Sequence, residues 1–483
     1  MDERYIAAVD LGSSKIALAV AKIEGEDIQV IYYKELKSEG IRYSFVFNPQ
    51  RASEPLKELI HSAEKELNIK ILQTVVGLPR YHVIQEVARG IIPRTDSNSR
   101  ISNEEVFNLK NIALDNYPLS DPQKQTIYGA VAQSFTTDDI IQAREEDVVG
   151  MVSEKFEGNF KIFIGSKKSV YNIDNIFNDS GVAIARTYFT PATVAGCVLT
   201  YEEMDNGVAL IELGAGVTSV TVFQDGILRH YSAIPFGGSN VTNDIKTEGG
   251  LSTSLAENIK LAYGACMPDK LASLSEKVIR IQYPDSGAEK NLPVKYLSEI
   301  ITAREEEIVE AMLYEIEKSG LADDLRSGVV ITGGGASMAN LANLIKEMSG
   351  YNVRIGFPRR KFSYSGCTGV FETGATTCIS LILAAQEEKC INCIEQMETE
   401  PAPVVIEEEV EEVEEKFELV SPEIAEEEQK KEQKPQKRQK PAKPAKPARK
   451  GLWAKVSSKV TGTLDSLGNS IFDGMEDDDY DKN

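Results

Sequence analysis

The sequence predicts an α/β fold built of two similar lobes, because one strand pattern occurs twice along the chain. Near the start, residues 5–11 and 16–23 are strand-forming runs joined by a Gly-Ser-Ser turn. The second occurrence has three strands separated by glycine turns, at 208–213, 217–223 and 227–234. Short β-rich runs joined by tight turns are typical of antiparallel strands, and their recurrence indicates an internal duplication. A duplicated sheet suggests two lobes that face each other across a cleft.

A smaller α/β insertion is predicted between the two occurrences, at residues 82–165. Ser102 is followed three residues later by Glu105, a pairing that is typical of a helix N-terminus. Strand-forming runs surround this helix, at 82–92, 126–136 and 160–165. Further along, residues 251–263 and 294–318 are predicted helices, the second with an apolar stripe, and we expect them to form a second subdomain.

The composition indicates a globular protein of a reducing compartment with a charged extension. The chain has 483 residues, 42% of them hydrophobic, which is enough for two or more domains. Its formal charge of -22 argues against nucleic acid as the main partner, since phosphate binding needs a basic surface. The six cysteines suggest reduced thiols, no signal peptide pattern is visible, and no apolar run has the length of a spanning helix. We therefore expect any membrane contact to be peripheral.

The composition changes abruptly after Met397. Residues 407–428 contain twelve Glu and one Lys, whereas residues 430–450 contain ten Lys or Arg, one Glu and several prolines. Such a segment has too few apolar residues to offset the entropy of ordering the chain. We therefore predict a disordered charged linker over 397–450, whose acidic half has a solvated spacer as its simplest interpretation.

The first glycine turn has the residue types of a phosphate-binding loop. Its sequence runs Asp10, Leu11, Gly12, Ser13, Ser14 and Lys15. Glycine lets phosphate oxygens approach the backbone closely, and the loop amides and hydroxyls can donate to them. Asp10 could hold a hydrated Mg²⁺ ion, and Lys15 could neutralise a phosphate charge. An ordinary β-hairpin turn is the alternative interpretation of this segment alone.

The second turn repeats this pattern with Glu212, Gly214, Ala215 and Gly216. Two such loops that faced each other would hold a polyphosphate from both sides. The sequence contains neither a P-loop nor the spaced glycines of a dinucleotide site.

A third glycine run, Gly333, Gly334 and Gly335, follows a buried-strand pattern at 329–332 and precedes a helix predicted to begin near Met338. Backbone amides at a junction between a strand and a helix are well placed to meet a nucleotide.

In this order and separation, the acidic-x-Gly turns and the late Gly-Gly-Gly run resemble the actin, hexokinase and Hsp70 ATPase superfamily. Within it, the chain is most similar to the FtsA family of bacterial cell-division proteins. The resemblance implies an actin-like (ribonuclease H-like) two-lobed fold, with ATP and Mg²⁺ as cofactors. In the family, the helix that matches residues 256–260 contacts ribose and adenine, which would assign these contacts to Glu257 and Lys260.

The resemblance also implies how the chain divides into subdomains. The expected ranges are 1–81, 166–205 and 372–396 for subdomain 1A, 82–165 for the inserted subdomain 1C, 206–244 and 311–371 for subdomain 2A, and 245–310 for subdomain 2B. The linker at 397–450 would be followed by a membrane-targeting helix at 451–475 and an acidic tail at 476–483.

The second loop departs from the family pattern, which usually reads Asp-Ile-Gly-Gly-Gly-Thr. This chain has Glu212, Ala215 and Val217 at three of those positions, so one hydroxyl that could bond a phosphate is missing. We expect binding to persist through the backbone amides. We also expect weak or no ATPase activity, because misplacing reacting groups by about 1 Å can cost on the order of 100-fold in rate.

The terminal helix has a continuous apolar stripe that suits a membrane surface. The apolar residues that fall within an arc of roughly 80° on a helical wheel are Trp453, Val456, Val460, Leu464, Leu467 and Ile471. The stripe contains the only Trp of the chain and follows the basic run at 430–450, so together they form a two-signal peripheral anchor. Docking on the globular body or on a partner helix is the alternative. The acidic residues at 476–481 oppose binding to anionic lipid, so we expect a weak anchor made effective by assembly of many copies.

The resemblance implies an ATP-binding cytoskeletal adaptor that polymerises and tethers FtsZ to the cytoplasmic side of the cell membrane at the division septum. FtsZ would be contacted through about 245–310, and subdomain 1C would serve self-assembly and recruitment of later divisome proteins. Another ATPase of the superfamily is the alternative: a pilus-assembly relative, an Hsp70-like chaperone or a sugar kinase. No catalytic residue is assigned. Cys390 and Cys393 form a lone Cys-x-x-Cys pair, for which reduced thiols are the simpler interpretation than a metal or redox site.

Overall fold

The computed structural model describes residues 3–94, 96, 98–282, 289–359, 361–396 and 416–420. Its residues group into two compact units. Among the described residues, the first unit comprises those within 3–240 and 308–396, and the second comprises those within 241–307 and 416–420.

The first unit begins with a three-stranded meander that contains the predicted hairpin. The elements up to residue 77 are β1 (Arg4–Leu11), β2 (Lys15–Glu24), β3 (Asp27–Lys37), β4 (Ile41–Arg42), β5 (Phe45–Val46), α1 (Pro49–Leu67), β6 (Ile69–Ile71) and β7 (Gln73–Gly77). Helix α1 begins after Asn48, whose side chain accepts the Arg51 N–H, and ends at Asn68 in the left-handed region with φ 53°.

The insertion forms a separate three-stranded sheet covered by a helix. Its elements are β8 (Ile84–Pro93), α2 (Asn103–Asp115), β9 (Gln125–Thr136), α3 (Glu145–Val148) and β10 (Lys155–Ser166), with the strands in the order β8-β10-β9. Ser102 and Glu105 form the predicted capping box at the start of α2. The insertion has a core of its own, in which Phe135 stacks on Phe156 and meets Phe160 edge to face.

The chain then builds the second meander at the predicted positions. The elements are α4 (Lys167–Ser180), β11 (Ala183–Tyr188), α5 (Thr190–Val198), α6 (Tyr201–Asn206), β12 (Val208–Leu213), β13 (Thr218–Gln224), β14 (Ile227–Ile234) and α7 (Gly238–Gly249). Strand β12 is buried along its whole length, because it lies in the middle of its sheet.

The elements that follow are α8 (Thr253–Tyr263), β15 (Val278–Gln282), β16 (Glu289–Pro293) and α9 (Val294–Lys318). Helix α8 starts two residues later than predicted, because the Ser252 side chain accepts the Leu255 N–H and makes Ser252 the N-cap. Helix α9 has the predicted bounds and contributes residues to both units.

The last elements are β17 (Val329–Thr332), α10 (Leu341–Ser349), β18 (Val353–Ile355), β19 (Ser363–Tyr364), α11 (Thr376–Glu387), β20 (Ile394–Gln396) and β21 (Lys416–Val420). Strand β21 lies inside the range predicted as a disordered linker, and it pairs antiparallel with β15 in the second unit. The alternation of Phe417 and Leu419 with charged residues gives these five positions the period of a strand. The rest of 397–450 lies outside the described residues.

The two large sheets repeat one local topology. The first has the strand order β11-β7-β1-β2-β3-β19 and the second has β14-β13-β12-β17-β18. In the first sheet β1 is antiparallel to β2 and parallel to β7, and in the second β12 is antiparallel to β13 and parallel to β17. This repetition agrees with the duplication inferred from the sequence, and it makes β1 and β12 equivalent strands.

Side chains of the insertion bind the backbone of β14, an edge strand of the second sheet. Gln133 donates to the Leu228 carbonyl at 2.9 Å, and the Lys161 amine donates to the Arg229 carbonyl. Gln85 accepts the Tyr231 N–H at 3.1 Å. The insertion is therefore fixed to the second sheet by polar contacts along this edge.

Candidate functional site

The two predicted loops have the same internal geometry. The Gly12 N–H donates to the Lys15 carbonyl and the Gly214 N–H donates to the Val217 carbonyl, each at 3.0 Å. A Cβ at Gly12 would lie 2.6 Å from the first carbonyl oxygen, and a Cβ at Gly214 would lie 2.7 Å from the second. Glycine is therefore required at both positions by a close approach of backbone.

The loops also contact each other. A Cβ at Gly216 would lie 2.9 Å from the Ser13 hydroxyl oxygen and 3.2 Å from the Tyr43 nitrogen. The Ser13 hydroxyl accepts the Ser44 N–H at 3.1 Å. Tyr43 and Ser44 have φ of 50° and 63° and form the turn between β4 and β5. The structure thus brings the two loops together and places this turn against them.

The third glycine run lies beside the second loop. Gly333 has φ 86°, and a Cβ there would lie 2.5 Å from the Leu213 carbonyl oxygen. Gly334 is exposed, and a Cβ there would meet nothing within 4 Å. A 3-10 turn over Gly334–Ser337 follows, and helix α10 begins at Leu341 rather than near 338, because Asn340 adopts the left-handed region.

Asp10 and Lys15 lie at the turn end of the first hairpin and have different partners. Asp10 is half-buried near the end of β1, and burial raises the pKa of its carboxyl although Arg80 and Lys15 act in the opposite direction. The Lys15 amine forms an ion pair with Glu35, whose carboxylate also accepts the Tyr33 hydroxyl at 3.0 Å. Lys15 already has a counterion in this structure.

Arg80 is the residue of the site that the sequence reasoning missed. Its guanidinium forms an ion pair with Glu212, and both side chains are largely buried, with 13% and 5% of their surfaces exposed. Thr377, near the start of α11, donates to the same carboxylate at 3.1 Å. Glu212 is therefore held by two groups from other parts of the fold.

The backbone at Arg80 is fixed to the second sheet as well. Its carbonyl accepts the Tyr231 hydroxyl, and the Tyr231 ring packs edge to face on Phe189 with centroids 5.1 Å apart. A sequence signal for Arg80 existed. The buried run at 74–76 ends in Gly77, Leu78, Pro79 and Arg80, so the arginine follows the carboxyl end of a strand parallel to β1. Functional side chains often follow such strand ends in α/β sheets.

The carboxylates differ in their fit to a magnesium ion. Asp10 could contact Mg²⁺ through one of the water molecules bound to the ion, since it is half-buried and lines a small cavity together with Ser44 and Arg80. Glu212 fits less well than Asp10, because Arg80 and Thr377 both already engage its Oε1 oxygen. Among the described residues there is no cluster of three or more potential metal ligands from Asp, Glu, His and Cys.

Glu257 and Lys260, the predicted ribose and adenine contacts, lie one turn apart on α8 in the second unit. The Lys260 amine donates to Glu257 and to the Thr242 hydroxyl, each at 2.8 Å, and that hydroxyl donates to Glu257. The three side chains form one hydrogen-bonded network. Lys260 is more buried than Glu257, with 10% of its side-chain surface exposed against 35% for Glu257. Their role toward a nucleotide stays a prediction.

The remaining predictions concern the Cys390 and Cys393 pair and contact with a membrane. Cys390 and Cys393 are buried, and burial raises the pKa of the Cys393 thiol to about 11, which disfavours the reactive thiolate. No helix among the described residues has the length and apolar character needed to cross a membrane. The predicted anchor residues at 453–471 lie outside the described residues.

Comparison with known proteins gives consistent matches. A model of the family described as cell division protein FtsA matches residues 209–376. The cell division protein FtsA of Borreliella burgdorferi is 30% identical over 361 residues, which cover 74% of this chain and 86% of that protein. FtsA of Neisseria meningitidis serogroup B is 27% identical over 368 residues, covering 74% of this chain and 84% of that protein. Among solved structures, a chain of a PilM-PilN type IV pilus biogenesis complex superposes with a TM-score of 0.57 at 14% identity, covering 78% of this chain and 98% of that chain, a likeness of fold alone.

Proposed function

The chain belongs to the FtsA family of cell division proteins, and from this premise we propose that it is an ATP-binding adaptor that polymerises and tethers FtsZ to the membrane. Its cell-division role follows from the family. The nucleotide, the membrane contact and the named partners are the proposal. The observation that carries the nucleotide part is the contact between the two glycine loops at Ser13 and Gly216.

ATP would bind with its phosphates at the two loops, which touch at Ser13 and Gly216 and would separate to admit them. The backbone amides of residues 13–14 and 215–216 would supply donors on both sides, and Gly334 offers an exposed backbone beside the second loop. Lys15 would exchange Glu35 for a phosphate oxygen. Glu257 and Lys260 would contact the ribose and the base, a role taken from the family.

Magnesium, when bound with ATP, neutralises phosphate charge. Asp10 is the residue that would hold it, through water. The protein itself orients the triphosphate and keeps Glu212 engaged by Arg80 and Thr377. With Val217 in place of a threonine and no general base assigned, we propose slow hydrolysis or none, so that bound ATP acts as a structural ligand.

The membrane part of the proposal rests on the terminal sequence. Residues 451–475 would lie in the headgroup region with the stripe from Trp453 to Ile471 facing the acyl chains, assisted by the basic run at 430–450. Polymerisation would link many weakly binding terminal helices. Once one helix is bound, its neighbours are held at a high effective concentration near the membrane, so the polymer attaches stably. FtsZ, further copies of this chain and later divisome proteins are the proposed partners.

Calorimetric titration of ATP with Mg²⁺ into the full chain tests the nucleotide part. Asp10→Ala should weaken ATP binding by about tenfold, equivalent to about 1.4 kcal/mol. Asp179→Ala, at an exposed carboxylate near the end of α4, is the matched control and should leave the affinity unchanged. Equal affinities for all three proteins would remove Asp10 from the site.

Co-sedimentation with anionic liposomes tests the membrane part. The full chain, with ATP and Mg²⁺ present, should pellet with the vesicles, whereas a chain that ends at Lys450 should stay in the supernatant. Neutral vesicles provide the control for the electrostatic contribution. If both chains pellet equally with anionic vesicles, residues 451–475 are not the anchor.

A further inference from the structure

We infer that one edge of strand β15 is a binding site for an extended acidic peptide, and that residues 416–420 of the same chain occupy it as a detachable strap. These residues form β21, the described part of the segment 397–450. The inference is independent of the proposed function, since it involves neither a nucleotide nor a membrane.

The backbone pairing between β15 and β21 is complete. The antiparallel register runs without a shift over all five residues of β15, Val278–Gln282. Residues 279–281 are buried, so their backbone groups need hydrogen-bond partners. Of the described strands only β16 and β21 pair with β15. Without β21, one edge of β15 would be open, and an open edge accepts an extended chain as an added strand.

The register also matches the chemistry of the two strands. At its centre, apolar residues lie opposite apolar residues and a basic residue lies opposite an acidic one. These pairs are Ile281 with Phe417, Arg280 with Glu418, and Ile279 with Leu419. Directly opposed residues of an antiparallel pair are neighbours on one face of the sheet, where apolar pairs and opposite charges are stabilising. This edge therefore favours a peptide in which an acidic residue stands between two apolar residues.

The sequence around β21 explains why the strap is short and detachable. Residues 407–415 before it contain seven Glu, and Pro422 lies two residues after its end. A run of like charges disfavours ordered structure, and proline cannot donate to a strand ladder. A five-residue strand at the edge of a sheet can open locally without unfolding of the domain. While it is paired, the edge of β15 is closed to other extended chains.

Fluorescence anisotropy with a labelled peptide of residues 414–422 tests the binding site in the full chain. Successive residues of a strand direct their N–H groups to opposite edges, so replacing both Glu418 and Leu419 by proline removes a donor from the ladder. This double variant should bind the peptide at least about tenfold more tightly than wild type, whose own strap competes for the edge.

The matched control replaces Glu423 and Ile424 by proline, which makes the same change in charge beyond the end of β21. It should bind the peptide as wild type does, and a peptide of scrambled sequence should bind to none of the three proteins. Equal affinity of the three proteins for the 414–422 peptide, or no binding by any of them, would overturn the inference.

Disulfide trapping in the full chain tests the register and the identity of the occupant. Directly opposed residues of an antiparallel pair have Cα atoms about 4.5–5.5 Å apart, within the range of a disulfide. Gln282→Cys combined with Lys416→Cys should therefore give an intramolecular disulfide on mild oxidation, identified by mass spectrometry. Gln282→Cys combined with Val420→Cys should not, because four residues along a strand separate these positions by about 13 Å.

The trapping experiment decides the question even if the proline variant does not fold, since neither cysteine pair removes a backbone donor. Equal yields from the two cysteine pairs, or a disulfide that joins two chains in a covalent dimer, would show that 416–420 is not a strap of its own chain. Neither measurement uses ATP or vesicles. A failed strap therefore leaves the proposed function intact, and a failed nucleotide or membrane test leaves the strap intact.

Discussion

The guanidinium of Arg80, on the loop after β7, forms a largely buried ion pair with the carboxylate of Glu212 on β12. The pair joins the first sheet to the second at the place where the two glycine loops meet. Because both partners have left water, each depends on the other for its charge to be compensated.

Breaking this pair on one side should destabilise the protein strongly. Glu212→Ala leaves the Arg80 charge buried without its partner and should cost about 3–5 kcal/mol in free energy of unfolding. The double variant Arg80→Met with Glu212→Leu should cost less than the sum of the single changes, as measured by urea denaturation. Lys57→Ala, which breaks the exposed pair with Glu54 on α1, should cost about 1 kcal/mol or less. Additive costs at positions 80 and 212 would contradict the coupling.

The protein should lose stability in mild acid, because His230 is buried in its neutral form in the folded state. Burial lowers the pKa of His230 to about 4, although Glu315, 3.9 Å away, acts in the opposite direction. Since the unfolded chain takes up a proton at a higher pH than the folded one, stability is full above about 6.5 and is lost as the pH falls toward 4. The loss between pH 7 and pH 5 should be about 2 kcal/mol.

His230→Gln should flatten that part of the profile, measured by chemical denaturation at several pH values. His61→Gln, at an exposed position on α1, is the control. A wild-type slope in the His230 variant would show that other groups cause the acid sensitivity.

Glu305 should have the opposite effect. It is 3% exposed, its Oε2 has no hydrogen-bond partner among the described residues, and burial raises its pKa to about 7. The folded protein therefore holds a proton that the unfolded chain has released, so stability decreases as the pH rises from about 4.5 through 7. Glu305→Gln should raise stability at pH 8 by about 3 kcal/mol and have little effect below about pH 4.5.

Thermal denaturation at the two pH values measures this difference, and Glu299→Gln, at an exposed position on the same helix, is the control. Lower stability of the Glu305→Gln protein at pH 8 would indicate that the carboxylate is stabilised there by a partner.

Glycine at 216 should be needed for loop contact. Gly216→Ala places a Cβ 2.9 Å from the Ser13 hydroxyl and 3.2 Å from the Tyr43 nitrogen, so the loops must separate. We expect a loss of about 1–3 kcal/mol in stability. Gly196→Ala, in helix α5 where the new Cβ meets nothing within 4 Å, should be neutral or stabilising by up to about 1 kcal/mol. Similar effects at both positions would mean that the loops adapt freely.

The sequence predicted what is encoded locally. The paired meanders, the Ser102 cap and helix α9 follow from residue patterns within short windows, and the actin-like fold and FtsA family are confirmed. Strand order, including the parallel neighbours β7 and β17, depends on contacts between distant segments. Arg80 was missed for the same reason, since its partners come from β12 and β14.

Besides the later start of α8, two local expectations were wrong. The start of α10 shifted to Leu341 because Asn340 has a left-handed backbone, and strand β21 formed within a strongly charged segment by pairing with β15. Both depend on backbone conformations that composition alone does not determine. The subdomain boundaries and the roles of Glu257, Lys260 and the terminal helix stay predictions.

The polar contacts between the insertion and β14 also protect a vulnerable edge. An uncovered edge strand offers unpaired amides and carbonyls to any other chain and so promotes aggregation. Gln133, Lys161 and Gln85 use backbone groups of residues 228, 229 and 231 that would otherwise be available. Deleting residues 84–166 would therefore expose the backbone of β14 and promote aggregation, and would not give a smaller soluble protein. The insertion thus protects the edge of the second sheet from association with other chains.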